Sequence, residues 1–555
     1  MKLKIILLSQ LAMTWVMIGL VGIATAAPPT DLPGSRGAEK AVEHSGRAFN
    51  REEALRQRRE VHGWLLSEAV TQGRDTPISA VASEYEKLEI DQASQGAVPE
   101  RVGVTKPLSI SVSFGGVNLS HLNSRTLARP NGAMKRTTDG GYVFTSALSS
   151  PDATAVRVHF TGFRLAANAG LYLYTEDGQV FGPYTGRGPH GDGEFWSHTL
   201  MGDNVVLQLR HVGLPTSGDL HNTGFNIVGL AHIRPRFLGG FCSFNAPCIE
   251  NAACVAPGPA DAARDAVAHM QWVSGAFIYI CTGGLLADTD HNTVIPYFLS
   301  ANHCIRRGKD ARNLENFFQL AETSCDTPTC GDLFDHRANH PQELRTLGAT
   351  IKSTGRDTDY TLLELKEAAP VGSVFLGWNA TPIALSDGAP LYRISHPGGA
   401  PQAYSEHRVD IDKGTCQGWP RGDRIYSHDM GGATEGGSSG SPVLNASSQV
   451  VGQLSGVCGI NVGDTCDRDS NATVDGAFAN YFNEISQFLD PGTSCTDQET
   501  NCSDGLDNDC DGLVDGLDPD CDDPGGGSPK GAACSVNSDC ASNKCKGKTG
   551  SKTCK

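Results

Sequence analysis

Cysteine is missing from the first part of this chain. Of 18 cysteines in 555 residues, none precedes Cys242, ten lie from Cys242 to Cys466, and eight lie from Cys495 to Cys554. The first part must therefore be stabilised by an apolar core, for which the 39% hydrophobic content is ample. The even number in each later block indicates disulfides and an oxidising compartment. A chain of this length predicts about two to four domains.

Long apolar runs are absent beyond Ile23. The one such run, Ile5 to Ile23, follows two lysines and ends at Ala24-Thr25-Ala26, a small-residue cleavage pattern. These features are typical of a secretory signal peptide, so we interpret residues 1–26 as the cleaved leader of a secreted protein. A retained membrane anchor, which needs a similar apolar length, is the alternative.

Lysine and arginine are absent from residues 495–523, which contain eleven aspartates or glutamates. The net charge of the whole chain, 45 − 62 = −17, is therefore unevenly spread. A locally acidic balance of this kind argues against a nucleic-acid partner and favours a cation-binding segment.

Two different patterns fill the cysteine-free part. Residues 27–104 are charged and interrupted by Pro and Gly, and Asn50 with Glu53 predicts a capping box that opens a helix. A partly disordered linker is the alternative for this segment. Alternating apolar residues from Leu108 to Phe114 begin a β-rich stretch, which we expect to form a β-sandwich over residues 105–236.

A loop rich in glycine and serine, Glu435 to Pro442, precedes the apolar pair Val443-Leu444. Glycines let a substrate approach closely and let backbone N–H groups converge on one small space. We therefore predict that Ser439 is a nucleophile. A flexible surface loop is the alternative that this stretch alone allows.

A histidine and a carboxylate upstream suit such a nucleophile. His303 follows an apolar strand and precedes Cys304, and Cys281 lies on an earlier strand. We predict a Cys281–Cys304 disulfide beside this base, and its loop of about two dozen residues should contribute roughly 3 to 4 kcal/mol. Asp359 heads another apolar strand and is suited to accept the Nδ1 proton of the histidine. Asp357 is a rival, but no apolar strand follows it directly.

The three groups occur in the order His, Asp, Ser, which is the order of chymotrypsin. Five motifs resemble those of chymotrypsin-like serine proteases and, among these, of the bacterial lysyl endopeptidase-like group: Cys281 to Gly284, Ser300 to Cys304, Asp359 to Leu363, Gly437 to Pro442 and Val451 to Cys458. The resemblance covers about residues 240–491. It implies a mainly β fold, with a chymotrypsin-like double β-barrel over residues 237–491.

The resemblance implies a role for each matching residue. His303 resembles the general base, Asp359 its orienting partner and Ser439 the nucleophile, with no cofactor needed for catalysis. The N–H groups of Gly437 and Ser439 would form the oxyanion hole. The stretch Ser455-Gly456-Val457 would pair with the substrate backbone as an added strand, with Ser455 near the catalytic Asp. Lysyl endopeptidases carry a histidine at the Ser455 position, and this departure weakens the subgroup assignment.

The primary specificity pocket lacks an acidic residue at its usual positions. By the resemblance these positions fall at Ala433 and Thr473, and neither supplies a carboxylate for a buried cation. We therefore expect a preference for small or medium uncharged side chains. An offset of two residues would bring Asp469 or Asp475 to the pocket and reverse this expectation.

The same resemblance implies further disulfides. It pairs Cys248 with Cys458, and Cys254 with either Cys325 or Cys330. It leaves open the partners of Cys242, Cys416, Cys466 and the remaining member of that last pair.

Oxygen ligands recur at fixed spacing in the acidic segment, which we place at residues 492–523. Positions 1, 3, 5, 7, 9 and 12 of an EF-hand-like loop, the seventh through its carbonyl, would be Asp507, Asp509, Asp511, Leu513, Asp515 and Asp518. Such hard ligands fit a structural Ca²⁺ ion, and the segment resembles Asp-Asn-Asp-Cys-Asp-Gly repeats of bacterial cell-surface proteins. The departures are a final Asp in place of Glu, and cysteines in place of flanking helices. An acidic solvated spacer is the alternative.

The chain ends in a flexible linker at residues 524–530 and a four-cysteine module at residues 531–555. The module is too short for a hydrophobic core, so two disulfides must hold it. Its five lysines suit a polyanionic cell surface or a glycan. An appendage that aids stability or secretion is the alternative.

Together these features predict a secreted, monomeric serine endopeptidase that acts on protein or peptide substrates and is made as a precursor. The β-sandwich would then be a pro-region that assists folding or blocks the active site, ending near residues 236–240. A binding domain retained in the mature protein is the alternative. A different function, calcium-dependent surface binding by an inactive protease-like domain, would require a broken triad.

Overall fold

The chain is mainly β-sheet, as predicted: a helical N-terminal segment leads into a β-sandwich and then into two β-barrels. The computed structural model describes residues 39–40, 49–93, 99–117, 126–234, 245–290, 294–325, 339–416, 418–491, 544–547 and 552–554. The predicted signal peptide, the junction at residues 236–240, the acidic repeat and most of the four-cysteine module lie outside these residues. Among the helices that are described, none is both long and apolar enough to cross a membrane.

Helices dominate the start of the described chain. Two-residue strands, β1 and β2, and three helices occupy this segment: β1 (Glu39–Lys40), α1 (Arg51–Glu68), α2 (Thr71–Arg74), β2 (Ile78–Ser79) and α3 (Glu84–Ala93). Asn50 caps α1, because its side chain accepts the N–H of Glu53 at 3.0 Å. The Glu53 carboxylate bonds to Arg56, so only half of the predicted capping box forms. Leu65 is fully buried and attaches α1 to the sandwich.

The sandwich has two sheets around one apolar core. Its elements are β3 (Glu100–Ser113), β4 (Leu127–Arg129), β5 (Gly132–Arg136), β6 (Tyr142–Ser149), β7 (Ala155–Arg164), β8 (Ala169–Tyr174), β9 (Val180–Tyr184), β10 (Phe195–Trp196), β11 (Leu200–Met201), β12 (Asn204–His211), α4 (Ser217–His221) and β13 (Gly224–Ile233). One sheet has the order β4-β5-β6-β12-β8-β9, with β2 beside β6. In the other, β7 carries β10 and β11 on one side and β13 on the other, followed by β3. A turn at Asp177-Gly178 joins β8 to β9.

Strand β3 is longer than predicted and extends beyond the sandwich. It begins at Glu100, and Glu100–Val104 pair antiparallel with Phe277–Ile280 of the first barrel. From Gly103 onward β3 also pairs with β13, so part of it has a neighbour on each side. The sandwich and the first barrel therefore share one continuous sheet.

The first barrel is built around the β15–β16 hairpin. The elements of this part of the chain are β14 (Glu250–Asn251), α5 (Asp261–Arg264), β15 (Val267–Ser274), β16 (Phe277–Leu286), β17 (Tyr297–Ala301), α6 (Gly308–Arg312), β18 (Glu315–Phe318), β19 (Arg345–Leu347), β20 (Ala349–Gly355), β21 (Tyr360–Leu365) and β22 (Val374–Phe375), with 3₁₀ turns at Ala252–Cys254 and Gln342–Leu344. Strand β17 joins β16 to β21, and β18 joins β15 to β19. Met270, Phe298 and Leu363 lie in its apolar core.

The second barrel closes on itself. Its elements are β23 (Pro390–Ser395), a 3₁₀ turn at Pro397–Gly399, β24 (Ala403–Val409), β25 (Arg424–Gly432), β26 (Pro442–Leu444), β27 (Val450–Gly459), β28 (Asn471–Ala477) and α7 (Phe478–Leu489). The strand order β24-β23-β26-β27-β28-β25 returns to β24, and β14 adds to β24. Helix α7 buries Phe478 and Tyr481 in a cluster that both barrels share with Trp378. Farther on, β29 (Cys545–Lys546) pairs with β30 (Thr553–Cys554).

A buried carboxylate lies between the sandwich and the first barrel. Glu315 of β18 accepts the N–H and the hydroxyl of Thr199 at 3.0 and 2.6 Å. The guanidinium groups of Arg157 and Arg345 lie 3.6 and 3.3 Å from it. Burial alone would raise the pKa of Glu315, but the two cations and Thr199 more than offset it, so this pKa is lowered. Since Arg157 and Thr199 belong to the sandwich, the charge is fully satisfied only while the two units are in contact.

Four disulfides are described in the protease part of the chain: Cys248–Cys466, Cys254–Cys325, Cys281–Cys304 and Cys416–Cys458. Cys545 of the terminal module is disulfide-bonded as well. Of the four, the second is one of the two implied alternatives, and the third was predicted beside the histidine. The expected Cys248–Cys458 bond is wrong. Cys458 lies on β27 over the loop before β25, with its sulfur 3.7 Å from the Gly414 carbonyl, and therefore meets Cys416. Cys242 and Cys330 lie outside the described residues.

Buried histidines should make the sandwich sensitive to acid. Burial lowers the pKa of His198 to about 3 and that of His232 to about 4, whereas an unfolded histidine titrates near pH 6.5, about the free value. Below about pH 6.5 the unfolded state therefore binds more protons than the folded state. The stability that the neutral, buried histidines allow is complete above that pH and is lost as the pH falls toward 4. We expect the urea midpoint of the full chain to be lower at about pH 4.5 than at about pH 7.5. His232→Gln should reduce this difference, and equal midpoints at both pH values would contradict the argument.

Candidate active site

A histidine and an aspartate meet at the ends of two paired strands in the first barrel. His303 follows β17, and Asp359 immediately precedes β21, the neighbour of β17. The Asp359 carboxylate accepts Nδ1–H of the histidine ring at 2.8 Å and the backbone N–H of His303 at 2.9 Å. Because an ionised carboxylate only accepts, the Nδ1 atom carries the proton and Nε2 is left as an acceptor. The rival Asp357 is exposed to solvent.

Asp359 has a left-handed backbone conformation, with φ at +58°. Such a conformation is strained for a residue with a Cβ and persists only where the surroundings hold it. The carbonyl of Asp359 accepts the N–H of Asn302 at 3.0 Å and the side-chain amide of Gln453 at 3.1 Å. Gln453 belongs to the second barrel, so both barrels hold the aspartate in place.

The loop before β26 places Ser439 against β16 and β17. The Ser439 carbonyl accepts the N–H of Thr282 on β16 at 2.8 Å, and the residue is 8% exposed. Gly437 and Gly440 have φ values of +89° and +82°. A Cβ at position 440 would lie 2.2 Å from the Ser300 hydroxyl, so only glycine lets the loop approach β17 this closely.

Two N–H groups of this loop are available to a ligand. Those of Ser438, Gly440 and Ser441 donate to backbone carbonyls, whereas those of Gly437 and Ser439 donate to no acceptor among the residues described. The Gly437 carbonyl accepts the Thr282 hydroxyl at 2.8 Å, which orients the loop. Two free donors beside a hydroxyl side chain are what an oxyanion hole requires.

The Nε2 atom of His303 is buried and makes no hydrogen bond within the described structure. The neighbouring Cys304 contacts the Ser439 carbonyl, with sulfur and oxygen 3.7 Å apart, so the ring and the loop are adjacent. Bonds between such groups often form only when substrate binds. His303 also lies within 4.8 Å of the sulfurs of Cys281 and Cys304, but these are joined as a disulfide and offer no thiolate to a metal.

Arg424 is a site residue that the sequence did not reveal. Its Nη1 donates to the Ser455 hydroxyl at 2.6 Å, and the side chain is buried beside the stretch that is predicted to bind substrate. Burial lowers the pKa of Arg424, and the negative charge of Asp359 opposes that effect. Arg424 thus contacts Ser455 directly and lies within electrostatic range of Asp359. No local pattern marks an arginine at the start of β25 for this role.

Asp429 is a second residue that sequence reasoning missed. Thr473 lies opposite Val457 in the β27–β28 ladder, and its hydroxyl donates to Asp429 Oδ1 at 2.7 Å. The same oxygen is 2.7 Å from Nδ1 of His407. Burial would raise the pKa of Asp429, but the contacts with His407 and Thr473 outweigh it and the pKa is lowered.

The other proposed pocket residues have different surroundings. Ala433 is fully buried. Asp475 is also fully buried, and its carboxylate forms a salt bridge with the Arg393 guanidinium, with Nη2 and Oδ1 2.5 Å apart. Asp469 is exposed. The carboxylate nearest to Thr473 is therefore Asp429, and it comes from β25 rather than from the loop before β28.

Part of the chain is similar to known proteases. Residues 240–471 match the family described as lysyl endopeptidase, C-terminal domain. The lysyl endopeptidase of Pseudomonas aeruginosa is 29% identical over 378 residues, which cover 64% of this chain and 77% of the relative. The chain contains a serine endopeptidase domain.

Solved structures of serine proteases are also similar to part of the chain. The HtrA-type protease AlgW with a tripeptide is 14% identical, with a TM-score of 0.29, over 42% of this chain and 65% of that one. The Rv3671c protease from M. tuberculosis in its active form is 17% identical, with a TM-score of 0.28, over 45% of this chain and 94% of that one. The chain thus spans just under two thirds of the length of AlgW.

Proposed function

We propose that this chain is a secreted serine endopeptidase, made as a precursor, that hydrolyses peptide bonds through an acyl-enzyme intermediate. The observation that carries the proposal is the His303 ring, which has Nδ1 bonded to Asp359 and Nε2 unpaired beside the Ser439 loop. The leader sequence and the disulfides favour secretion. The β-sandwich, which precedes the protease domain and shares a sheet with it, favours a precursor.

The proposed reaction follows from the positions of these groups. Ser439 Oγ bonds to the substrate carbonyl carbon while Nε2 of His303 takes the hydroxyl proton, and Asp359 stabilises the imidazolium. The N–H groups of Gly437 and Ser439 bind the oxyanion. The C–N bond then breaks as His303 returns the proton to the leaving amine. Water attacks the remaining ester by the same route, which releases the acid and restores Ser439.

Labelling with a fluorophosphonate tests the nucleophile. Ser439→Ala should abolish labelling, and Asp359→Asn should lower peptide-hydrolysis kcat by a factor on the order of 10⁴, because the histidine loses its tautomer control. Ser441→Ala is the matched control, since the Ser441 hydroxyl is buried without a hydrogen bond and lies two residues away on the same loop. Labelling that persists in Ser439→Ala would refute the assignment.

We propose a primary pocket for small or medium uncharged side chains. Ala433 and Thr473 supply no charge, and the Asp429 oxygen behind Thr473 is already bonded to two groups. Mass spectrometry of peptides released from a mixed library should therefore show cleavage after uncharged residues. Asp429→Asn should leave that preference unchanged. Cleavage mainly after lysine, lost in Asp429→Asn, would show instead that this carboxylate binds the substrate cation.

We propose that residues 492–523 bind a structural Ca²⁺ ion through the carboxylates of the Asp507 to Asp518 loop. The support is their spacing, which alternates oxygen ligands around Gly512. Calorimetry on the full chain should show Ca²⁺ binding, with a Kd of roughly 10⁻⁴ to 10⁻³ M if it behaves like other extracellular modules. Asp511→Asn should weaken the binding. Absence of heat, together with unchanged proteolysis of this segment in chelator, would rule the ion out.

A further inference from the structure

The two strand edges that flank Ser439 differ in their occupancy. Among the described residues, Gly456 and Val457 of β27 pair only with β28, so their other edge is open, and Val457 is 44% exposed. The Phe277–Ile280 edge of β16 is covered by Glu100–Val104 of β3. One side of the proposed active site is therefore accessible, whereas the chain's own strand lies along the other.

Strand β3 lies on the side from which the leaving group departs. Ser439 is located between β16 and β27, because its carbonyl accepts the N–H of Thr282 and the next N–H, of Gly440, donates to Leu454, both at 2.8 Å. If the β27 edge receives the substrate residues before the cleaved bond, as the resemblance implies, then β16 borders the residues after that bond.

The direction of β3 is that of a bound substrate. It starts at Glu100, which pairs with Ile280, the residue before Cys281. From there it runs antiparallel to β16, away from Ser439. The Glu100 side chain is 5% exposed and packs on the loop of the oxyanion hole. A Cβ built at Gly436 would lie 2.7 Å from its Oε2. A peptide extending past the cleaved bond would need the space that Glu100 and the following residues occupy.

We propose that β3 is a substrate-like strand that blocks the leaving-group side of the active site, and that the sandwich stays docked in this pose after residues 235–244 are cut. The proposal rests on the proposed function, since it concerns the same site. Cutting the connection is then insufficient for activity against long substrates. The sandwich must also be removed or displaced.

Burial explains why the sandwich should stay docked. Trp196 and Ile233 of the sandwich form one apolar cluster with Val102 of β3 and with Ile278 and Ile280 of β16. Ile278 and Ile280 are buried in that cluster, at 0% and 1% exposure, and separation of the sandwich from the barrel would expose them to water. Separation would also take Thr199 and Arg157 away from the Glu315 carboxylate. The Glu315 charge would then lose a hydrogen-bond donor and one of its two neighbouring cations.

Docking can be tested without activity. Residues 236–240 of the full chain are replaced by the recognition sequence of a sequence-specific protease, in the Ser439→Ala background. After complete cutting, the two fragments should co-elute in size-exclusion chromatography under native conditions. Arg157→Ala should make them separate at a lower urea concentration. Separate elution of the unmodified fragments without denaturant would overturn the docking part of the proposal.

Blocking is tested in the same cut chain with Ser439 intact. Two substrates share the residues before the cleaved bond; one is an ester of a small alcohol, and the other continues for several residues beyond the bond. Arg101→Pro should raise the rate of the long peptide relative to the ester by about 10-fold or more, because proline disrupts β3 beside Tyr279 and frees the site more often. Arg101→Ala loses the same guanidinium contact with the Phe277 ring, 3.8 Å away, but keeps the N–H, so it should raise the ratio much less than Arg101→Pro.

The outcomes separate the two proposals. The long-peptide to ester rate ratio could be equal in the chain with Arg101, in Arg101→Ala and in Arg101→Pro, while Ser439 is still labelled by the fluorophosphonate. That result would overturn the proposal that β3 blocks the site and would leave the proposed function intact. Failure of labelling in every form would refute the function, while co-elution of the Ser439→Ala fragments would still report on docking.

Discussion

The strained backbone of Asp359 makes the proposed active site depend on the contact between the two barrels. Asp359 and His303 come from the first barrel, but the amide of Gln453 in the second barrel donates to the carbonyls of Thr358 and Asp359, both at 3.1 Å. The Tyr481 hydroxyl in turn donates to Gln453, and its ring stacks on Tyr360 at 4.1 Å. A left-handed aspartate of this kind is stable only while these groups are in place, so the proposed catalytic geometry forms when the barrels meet.

Thr282 gives the Ser439 loop a similar dependence. Its N–H donates to the Ser439 carbonyl and its hydroxyl to the Gly437 carbonyl, while its own carbonyl accepts the Ser300 hydroxyl at 2.8 Å. One residue of the first barrel thus orients the peptides beside the N–H groups that are proposed to bind the oxyanion. Since Gly440 also touches β17 without room for a Cβ, the loop has little freedom to move away from His303. Preorganised donors of this kind need no rearrangement when charge develops on the substrate.

How much could be predicted from the sequence depended on whether a feature was local. The histidine after a strand, the aspartate before one and the glycine-rich loop each have a short pattern, and the structure brings them together. Arg424 and Asp429 have no such pattern, because their roles arise from strands that become neighbours only in the folded barrel. The start of β3 at Glu100 was missed for the same reason, since its pairing partner lies in another unit of the chain. Likewise, the spacing of cysteines could not show that Cys458 faces the loop carrying Cys416.

The distribution of cysteines divides the chain into a cross-linked part and a part held by packing alone. Four disulfides lie within the protease part, where each removes conformational freedom from the unfolded chain. The sandwich has no cysteine, and its core includes histidines whose burial disfavours acid conditions. Local opening should therefore begin in the sandwich, because the loss of packing there is not opposed by covalent links. If the sandwich unfolds first, proteolysis would remove it while the barrels stay folded. The difference in stability between the sandwich and the barrels would then set the order in which the proposed precursor is converted into an enzyme.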